Sequence, residues 1–241
     1  SFNLDSKKLV KGFKSVWFSS SLSSVKPELS SVYIYVGDGS LIFVATDSFR
    51  LAEKIIKIEK DENQFNILIP LKNIPEIIRI FEGFNGEVSV CLSKNQISFY
   101  DNYNYVVSRL IDGVFPDYKQ IIPNEIKTEA IILKQDLLSM LKISNIFSDK
   151  FNQVNIKIHP SKKVFEITTK NSNIGENINT VPASLSGEDI SVNFNYKYII
   201  DCIQSIDSDS VSLSFNGVSK PMTIRGVSDR SFTYIVMPMN K

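Results

Sequence analysis

Histidine, cysteine and charge of one sign are scarce here, and each scarcity removes a class of chemistry. His159 is the one histidine in 241 residues, so a multi-histidine zinc site cannot be built within the chain and a catalytic triad would have to use this one residue. It precedes Pro160 at an expected hairpin turn, where a solvated imidazole is expected. Cys91 and Cys202 lie far apart in apolar stretches, the pattern of buried cytosolic thiols rather than a disulfide framework or a CxxC metal site. No apolar run reaches membrane-spanning length and no signal-peptide core is present, so a cytoplasmic protein without a membrane partner is expected. Lys plus Arg number 27 against 26 Asp plus Glu. Any contact with nucleic acid must therefore rest on local clustering.

Recognisable catalytic motifs are also missing. There is no P-loop, no strand-linked GxGxxG and no HExxH. Glu59, Asp61 and Glu62 surround Lys60 in what reads as a solvated turn. Asp207 and Asp209 alternate, but lack the glycine and closing glutamate of a calcium loop. Nothing assembles a nucleophile, base and oxyanion hole, and no metal or cofactor is expected. The chain starts at Ser1 without an initiator methionine, as expected of a processed product or an excised piece.

What the sequence does contain is a 43% hydrophobic content, enough for a sizeable core, and an internal repeat. Asp5 can cap a helix carrying Leu9, Phe13, Val16 and Trp17 on one face. Val32–Val36 alternates as a strand, Gly37-Asp38-Gly39 turns the chain, and Leu41–Asp47 returns. A second helix has Ile74, Ile77, Ile78 and Phe81 inward, and strands follow near 88–92, 96–100 and 105–110. Phe115–Tyr118 and Pro123-Asn124 read as a linker. From Thr128 the order begins again: a helix from Leu133 to Ile143 with Leu137, Leu138 and Leu141 inward, a hairpin from Val154, and a helix from Tyr196 to Ile203 capped by Asn195. Val32 and Val154, Ala45 and Thr168, and Val88 and Val211 match at offsets of 122 or 123 positions. The expected fold is α+β, with two similar tandem domains, 1–123 and 128–241, each a helix pair packed on antiparallel sheets.

Three local features bear on function. Lys7, Lys11 and Lys14 recur on one helix face, with Lys72 and Arg79 on the second helix and Lys134, Lys142 and Lys197 in the second half. Such faces are either ordinary solubilising charge or a strip that holds phosphates without reading sequence. In Ala45–Ala52, Phe49 and Leu51 either continue a core strand or form an apolar rim beside the Arg50 guanidinium. The final strand, Phe232–Val236, alternates as though half-buried and stops at Pro238. Met237 and Met239 either plug a core gap or line an adaptable groove.

Ala45–Ala52 (ATDSFRLA), Asp112–Tyr118 (DGVFPDY) and Tyr234–Met239 (YIVMPM), in that order, resemble the bacterial sliding clamp family, the beta subunit of DNA polymerase III. The family has three repeats of one fold per subunit, and two subunits close head to tail into a ring on duplex DNA. The resemblance covers the second and third repeats. It implies a non-catalytic processivity factor of DNA replication, bound to double-stranded DNA irrespective of sequence and tethering polymerase, clamp loader and repair proteins by their short linear motifs. DNA-facing residues would be Lys7, Lys11, Lys14 and Lys72. The peptide cleft between the two repeats would be walled by Leu29, Thr46, Phe49, Arg50, Leu51, Pro116, Ile121, Val218, Ile235, Val236, Met237, Pro238 and Met239. Its rim would be Lys26, Ser48, Gln120, Phe151, Asn195, Tyr198 and Lys220. Ile146 and Phe147 match the subunit interface of the homodimer ring, and this chain alone is expected to be a monomer, or at most a weak non-ring dimer. The chain departs from the family where Gly-His is replaced by Ser48-Phe49, where Arg is replaced by Lys26, and at the Asn240-Lys241 ending. An α+β hydrolase or nucleotide-using enzyme is the alternative, and a tandem adhesion module a third.

Overall fold

Asp5 ends the first strand and opens the first helix, because its carboxylate accepts a hydrogen bond from the Lys8 backbone N–H at 3.1 Å. The computed structural model describes residues 1–58, 64–123 and 125–239. The chain divides into two compact units, Ser1–Pro116 and Asp117–Lys241. The division falls at Pro116 rather than at 123, so the 3-10 turn Tyr118–Ile121 belongs to the second unit.

In the first unit the elements are β1 (Phe2–Asp5), α1 (Ser6–Val16), β2 (Ser31–Gly37), β3 (Ser40–Thr46), β4 (Arg50–Lys57), β5 (Asn66–Pro70), α2 (Ile74–Phe81), β6 (Glu87–Leu92), β7 (Gln96–Tyr100) and β8 (Tyr105–Arg109). Antiparallel pairing gives one sheet in the order β5-β2-β3-β4 and another in the order β1-β6-β7-β8. β2 and β3 close through Asp38 and Gly39 at φ 50° and 65°, the conformation whose twist matches a two-residue hairpin.

Apolar spacing on the helices decides how these layers meet. Leu9, Phe13 and Val16 of α1 and Ile74, Ile77, Ile78 and Phe81 of α2 are all buried, as helical periodicity requires of a face laid on a sheet. Phe13 meets Phe43 of β3 edge-on at 5.2 Å between centroids and Phe99 of β7 at 6.2 Å, and Phe81 lies 6.5 Å from Phe99. Four phenyl rings thus join both helices to both sheets. Each contributes about 2–3 kcal/mol by burial alone. Gly12 lets the helix come this close, since a Cβ there would stand 2.5 Å from the Phe43 ring. α1 ends before Trp17, which is half-buried in a 3-10 turn (Trp17–Ser19) and not on the helix face as expected.

The second unit repeats the plan. Its elements are β9 (Thr128–Leu133), α3 (Lys134–Ile146), β10 (Gln153–His159), β11 (Val164–Asn171), β12 (Gly175–Val181), β13 (Ser184–Gly187), β14 (Ile190–Asn195), α4 (Tyr196–Ile203), β15 (Ser210–Phe215), β16 (Met222–Gly226) and β17 (Phe232–Val236). The sheet β14-β10-β11-β12 answers to β5-β2-β3-β4, and β9-β15-β16-β17 answers to β1-β6-β7-β8, with β13 added beside β9. α2 and α4 are both eight residues long.

Several expectations are corrected. α3 starts at Lys134, leaving Leu133 55% exposed; Met140, not Leu138, joins Leu137 and Leu141 in the core. All five residues of β17 are buried, so it is not the half-buried strand that its alternation suggested. Cys202 is buried and Cys91 half-buried, and neither is in a disulfide. β12 and β13 were not foreseen: they are polar, and Ile178 of β12 is 57% exposed, so no buried face imposes a period of two. The Glu59, Asp61, Glu62 cluster lies outside the described residues, as do Asn124, Asn240 and Lys241. Among the described residues no helix is long and apolar enough to cross a membrane.

Gly187 closes β13 at φ 93°, and a Cβ there would lie 1.8 Å from the Lys127 carbonyl oxygen. Because backbone rather than a mobile side chain blocks the site, Gly187→Ala is expected to destabilise the chain by about 3 kcal/mol. Gly83→Ala, which meets nothing within 4 Å, is expected to stay within about 0.5 kcal/mol. Urea unfolding midpoints of the two variants check this, and equal midpoints would contradict it.

Candidate functional site

β3 and β4 close through a three-residue tip, Asp47-Ser48-Phe49, which is held by its own polar groups. Asp47 Oδ1 accepts the backbone N–H of Phe49 at 2.9 Å and of Arg50 at 3.0 Å, while Oδ2 takes Arg50 Nε at 2.9 Å. Thr46 Oγ1 donates to the Arg50 carbonyl at 2.6 Å and accepts from Ser48 N at 3.2 Å. Ser48 is left-handed at φ 78°, a conformation sustained only where surrounding bonds fix it. The Arg50 and Asp47 side chains are 13% and 16% exposed, and the guanidinium carbon lies 5.9 Å from the centroid of the Phe18 ring. The stretch thus divides: Leu51 is core at 1% exposure, whereas Phe49 stands 61% exposed. Leu29 is buried in a turn that opens at the exposed Lys26, whose carbonyl takes the Leu29 N–H at 3.0 Å; Pro116 is exposed.

In the second unit several of the named residues gather at the junction of β14 and α4. Asn195 ends the strand and caps the helix, its Oδ1 accepting Lys197 N at 3.0 Å. Tyr198 follows in the first helical turn, half-buried. Asn195 pairs with Gln153, and just before it Phe151 stands 57% exposed in a loop pinned by Asp149 Oδ1, which accepts Phe151 N at 2.9 Å. The Met239 N–H donates to the Asn193 carbonyl at 2.8 Å, which lays the tail along β14. Met222 pairs with Val236, so the turn bearing Val218, 60% exposed, and Lys220 closes at the end where Met237 leaves the sheet. Met237 is itself exposed, while Ile235 and Val236 are buried and Pro238 is half-buried. Gln120 and Ile121 sit in the 3-10 turn at the start of this unit, with Gln120 Nε2 donating to Asp117 Oδ2 at 2.8 Å.

The lysine faces are less uniform than their spacing suggested. Lys7, Lys8, Lys11 and Lys14 of α1 are all exposed, but Lys14 forms an ion pair with Glu82. Lys72 is exposed in a 3-10 turn ahead of α2, not on the helix. Arg79 pairs with Glu76 one turn back; its hydrogen bond holds the Glu76 carboxyl below the usual range and raises the guanidinium. Lys134 turns inward, donating from Nζ to the Ile206 carbonyl at 2.9 Å. His159 is half-buried and its Nδ1 lies 2.8 Å from Asp189 Oδ2, so the ring is partnered rather than simply solvated. Ile146, at the last position of α3, is 63% exposed, and Phe147 is half-buried. Sequence reasoning missed Ile143, Ile174 and Ile178, exposed at 43%, 57% and 57% on or near α3 and the β12 strand against which it packs.

Two tandem units of one topology, each a helix pair on antiparallel sheets, make up the DNA-clamp fold. The structure superposes on the crystal structure of the DNA polymerase sliding clamp from Bacillus subtilis with a TM-score of 0.95 at 26% identity, covering 99% of this chain and 64% of that one. The chain belongs to the DNA polymerase III beta subunit family: residues 3–117 match its central domain and residues 119–240 its C-terminal domain. It is 29% identical to the beta sliding clamp of Rickettsia felis and 27% identical to that of Bacillus subtilis, over 99% and 92% of its length. It spans 66% and 60% of the lengths of those two relatives.

Because Asp47 satisfies two backbone N–H groups and a mostly buried guanidinium at once, Asp47→Ala is expected to cost about 2–3 kcal/mol. Urea unfolding followed by circular dichroism measures it. A loss under about 0.5 kcal/mol would show that the tip holds its shape without the carboxylate.

Proposed function

We propose that this chain supplies the central and C-terminal repeats of a sliding clamp that surrounds duplex DNA without reading its sequence. It tethers polymerase, clamp loader and repair proteins through a peptide-binding cleft between the repeats. It performs no chemistry itself and acts in the cytoplasm. The observation that carries this is the pair of domain matches laid end to end along nearly the whole chain. A hydrolase or nucleotide-using enzyme is not favoured, since the relatives named above are sliding clamps.

In this proposal Lys7, Lys11 and Lys72 face the phosphates, with Lys14 contributing less because Glu82 already compensates it. The hairpin tip at Ser48–Arg50 and the tail at Met237–Met239 bound the peptide cleft, along with Leu29, Pro116, Ile121, Phe151, Asn195, Tyr198 and Val218. Ile146 and Phe147, joined by the exposed Ile143, Ile174 and Ile178, meet the next subunit in a two-subunit ring. The chain on its own remains a monomer.

A peptide of the form Gln-Leu-Ser-Leu-Phe is expected to bind with micromolar affinity. Substituting Met237 and Met239 together by Ala removes two adaptable thioether contacts and is expected to weaken binding at least tenfold. Calorimetric titration decides it, and unchanged affinity in the double variant would remove the tail from the cleft. Binding to duplex DNA is expected to be weak and steeply dependent on salt. Replacing Lys7 and Lys11 by Ala should flatten the log–log salt slope by about 2, and a slope that does not change would remove α1 from the DNA-facing surface.

A further inference from the structure

We propose that Asn216 is a self-modification site, where attack by the Gly217 backbone nitrogen expels the side-chain amide and leaves aspartate or isoaspartate in the turn between β15 and β16. Asparagine followed by glycine is chemically labile because no Cβ shields the attacking nitrogen. The tripeptide Phe-Asn-Gly occurs twice, at 84–86 and 215–217, so the fold decides which copy reacts. Around the first copy both flanking carbonyls are tied to Ser6: Phe84 O accepts its hydroxyl and Gly86 O its backbone N–H at 2.9 Å. The Phe84 ring also covers Gly86, where a Cβ would meet it at 2.8 Å. Turning the peptide unit between Asn85 and Gly86 towards the side chain would break those contacts. The second copy is open. Gly217 lies past the end of the β15 ladder at φ 112°, nothing stands within 4 Å of its Cβ position, and its carbonyl makes one long bond, from Lys220 N at 3.3 Å. Asn216 Oδ1 is buried with no hydrogen-bond partner, so no bond to that oxygen has to break first.

The chemistry needs only water. A bond forms between Gly217 N and Asn216 Cγ, the Cγ–Nδ2 bond breaks, and ammonia leaves with the proton that Gly217 N gives up. Water then opens the cyclic imide, at Cγ to give aspartate or at the main-chain carbonyl to give isoaspartate, which routes the backbone through the side chain. Either product brings a carboxylate to a place where a buried oxygen already lacks a partner. A buried unpaired charge is costly, so the turn opens to hydrate it. That turn carries Val218, 60% exposed, and Lys220. Modification therefore weakens peptide docking, a consequence that rests on the docking role proposed above.

The test incubates the whole 241-residue chain at mildly alkaline pH and follows both asparagines by tryptic mapping with mass spectrometry, with isoaspartyl methyltransferase labelling to count isoaspartate. In the folded chain Asn216 is expected to convert at least fivefold faster than Asn85. In concentrated urea, where the fold no longer chooses, the two should agree within twofold. Equal rates in the folded chain, or faster loss at Asn85, would overturn the proposal. Fluorescence anisotropy with labelled Gln-Leu-Ser-Leu-Phe then compares fresh and aged protein. Ageing is expected to weaken binding at least threefold in the native chain and to leave Asn216→Gln, which keeps the amide but closes the five-membered ring no longer, unchanged. If Asn216 converts and affinity does not move, the effect on docking is overturned while the modification site stands. If the fresh chain binds no peptide, the docking role itself fails, and the mass measurement still decides the modification.

Discussion

The first unit depends on the meeting of Phe13, Phe43, Phe81 and Phe99, because these buried rings join both helices to both of its sheets. Eleven- and eight-residue helices are too short to persist in water by themselves, so their helicity is a result of this packing. The second unit solves the same problem with other residues: Leu137 and Leu141 of α3, Ile199 and Cys202 of α4, and the Phe194–Phe215 contact at 6.2 Å. A shared topology thus survives almost complete replacement of the side chains that stabilise it, as expected when volume and pattern matter more than identity.

Against that common frame, the two units spend their polar groups differently. In the first, a carboxylate immobilises a hairpin tip; in the second, Asn195 caps α4 and Asp149 pins the loop ahead of β10. Each is a local side-chain-to-backbone bond at a chain reversal, where aspartate and asparagine outcompete the backbone's own pairing. Exposed apolar residues stand directly on these fixed points, Phe49 on one and Phe151 on the other. Rigid support beneath an exposed aromatic group is the arrangement that lets a small contact carry specificity.

Much of this was legible in the sequence where pattern and cap agreed. Asp5 and Asn195 announced their helices, Ile74, Ile77, Ile78 and Phe81 gave the buried face of α2, and the matching offsets exposed the repeat. Strands without a buried face were not legible: β12 carries Glu, Asn and Thr at positions that only pairing with β11 turns into a ladder. β17 misled in the opposite direction, since Thr233 is apolar enough in its methyl and small enough to be buried beside Ile235. At the candidate site, the resemblance picked out Phe49 and the methionines, but the use of Asp47 and the pairing of Lys14 with Glu82 required three dimensions. Charge spacing along a helix says which side chains share a face and nothing about which acid waits on the neighbouring helix.

Trp17, the single indole in the chain, sits half-buried in the 3-10 turn after α1, which packs against β3 and β4. Its emission therefore reports on the turn that follows α1 in the first unit, while backbone ellipticity sums over both units. Differing midpoints from the two signals would mean that the repeats come apart as separate cooperative blocks, and coincident ones would be consistent with their melting together. The molecule carries its own optical label for interdomain cooperativity.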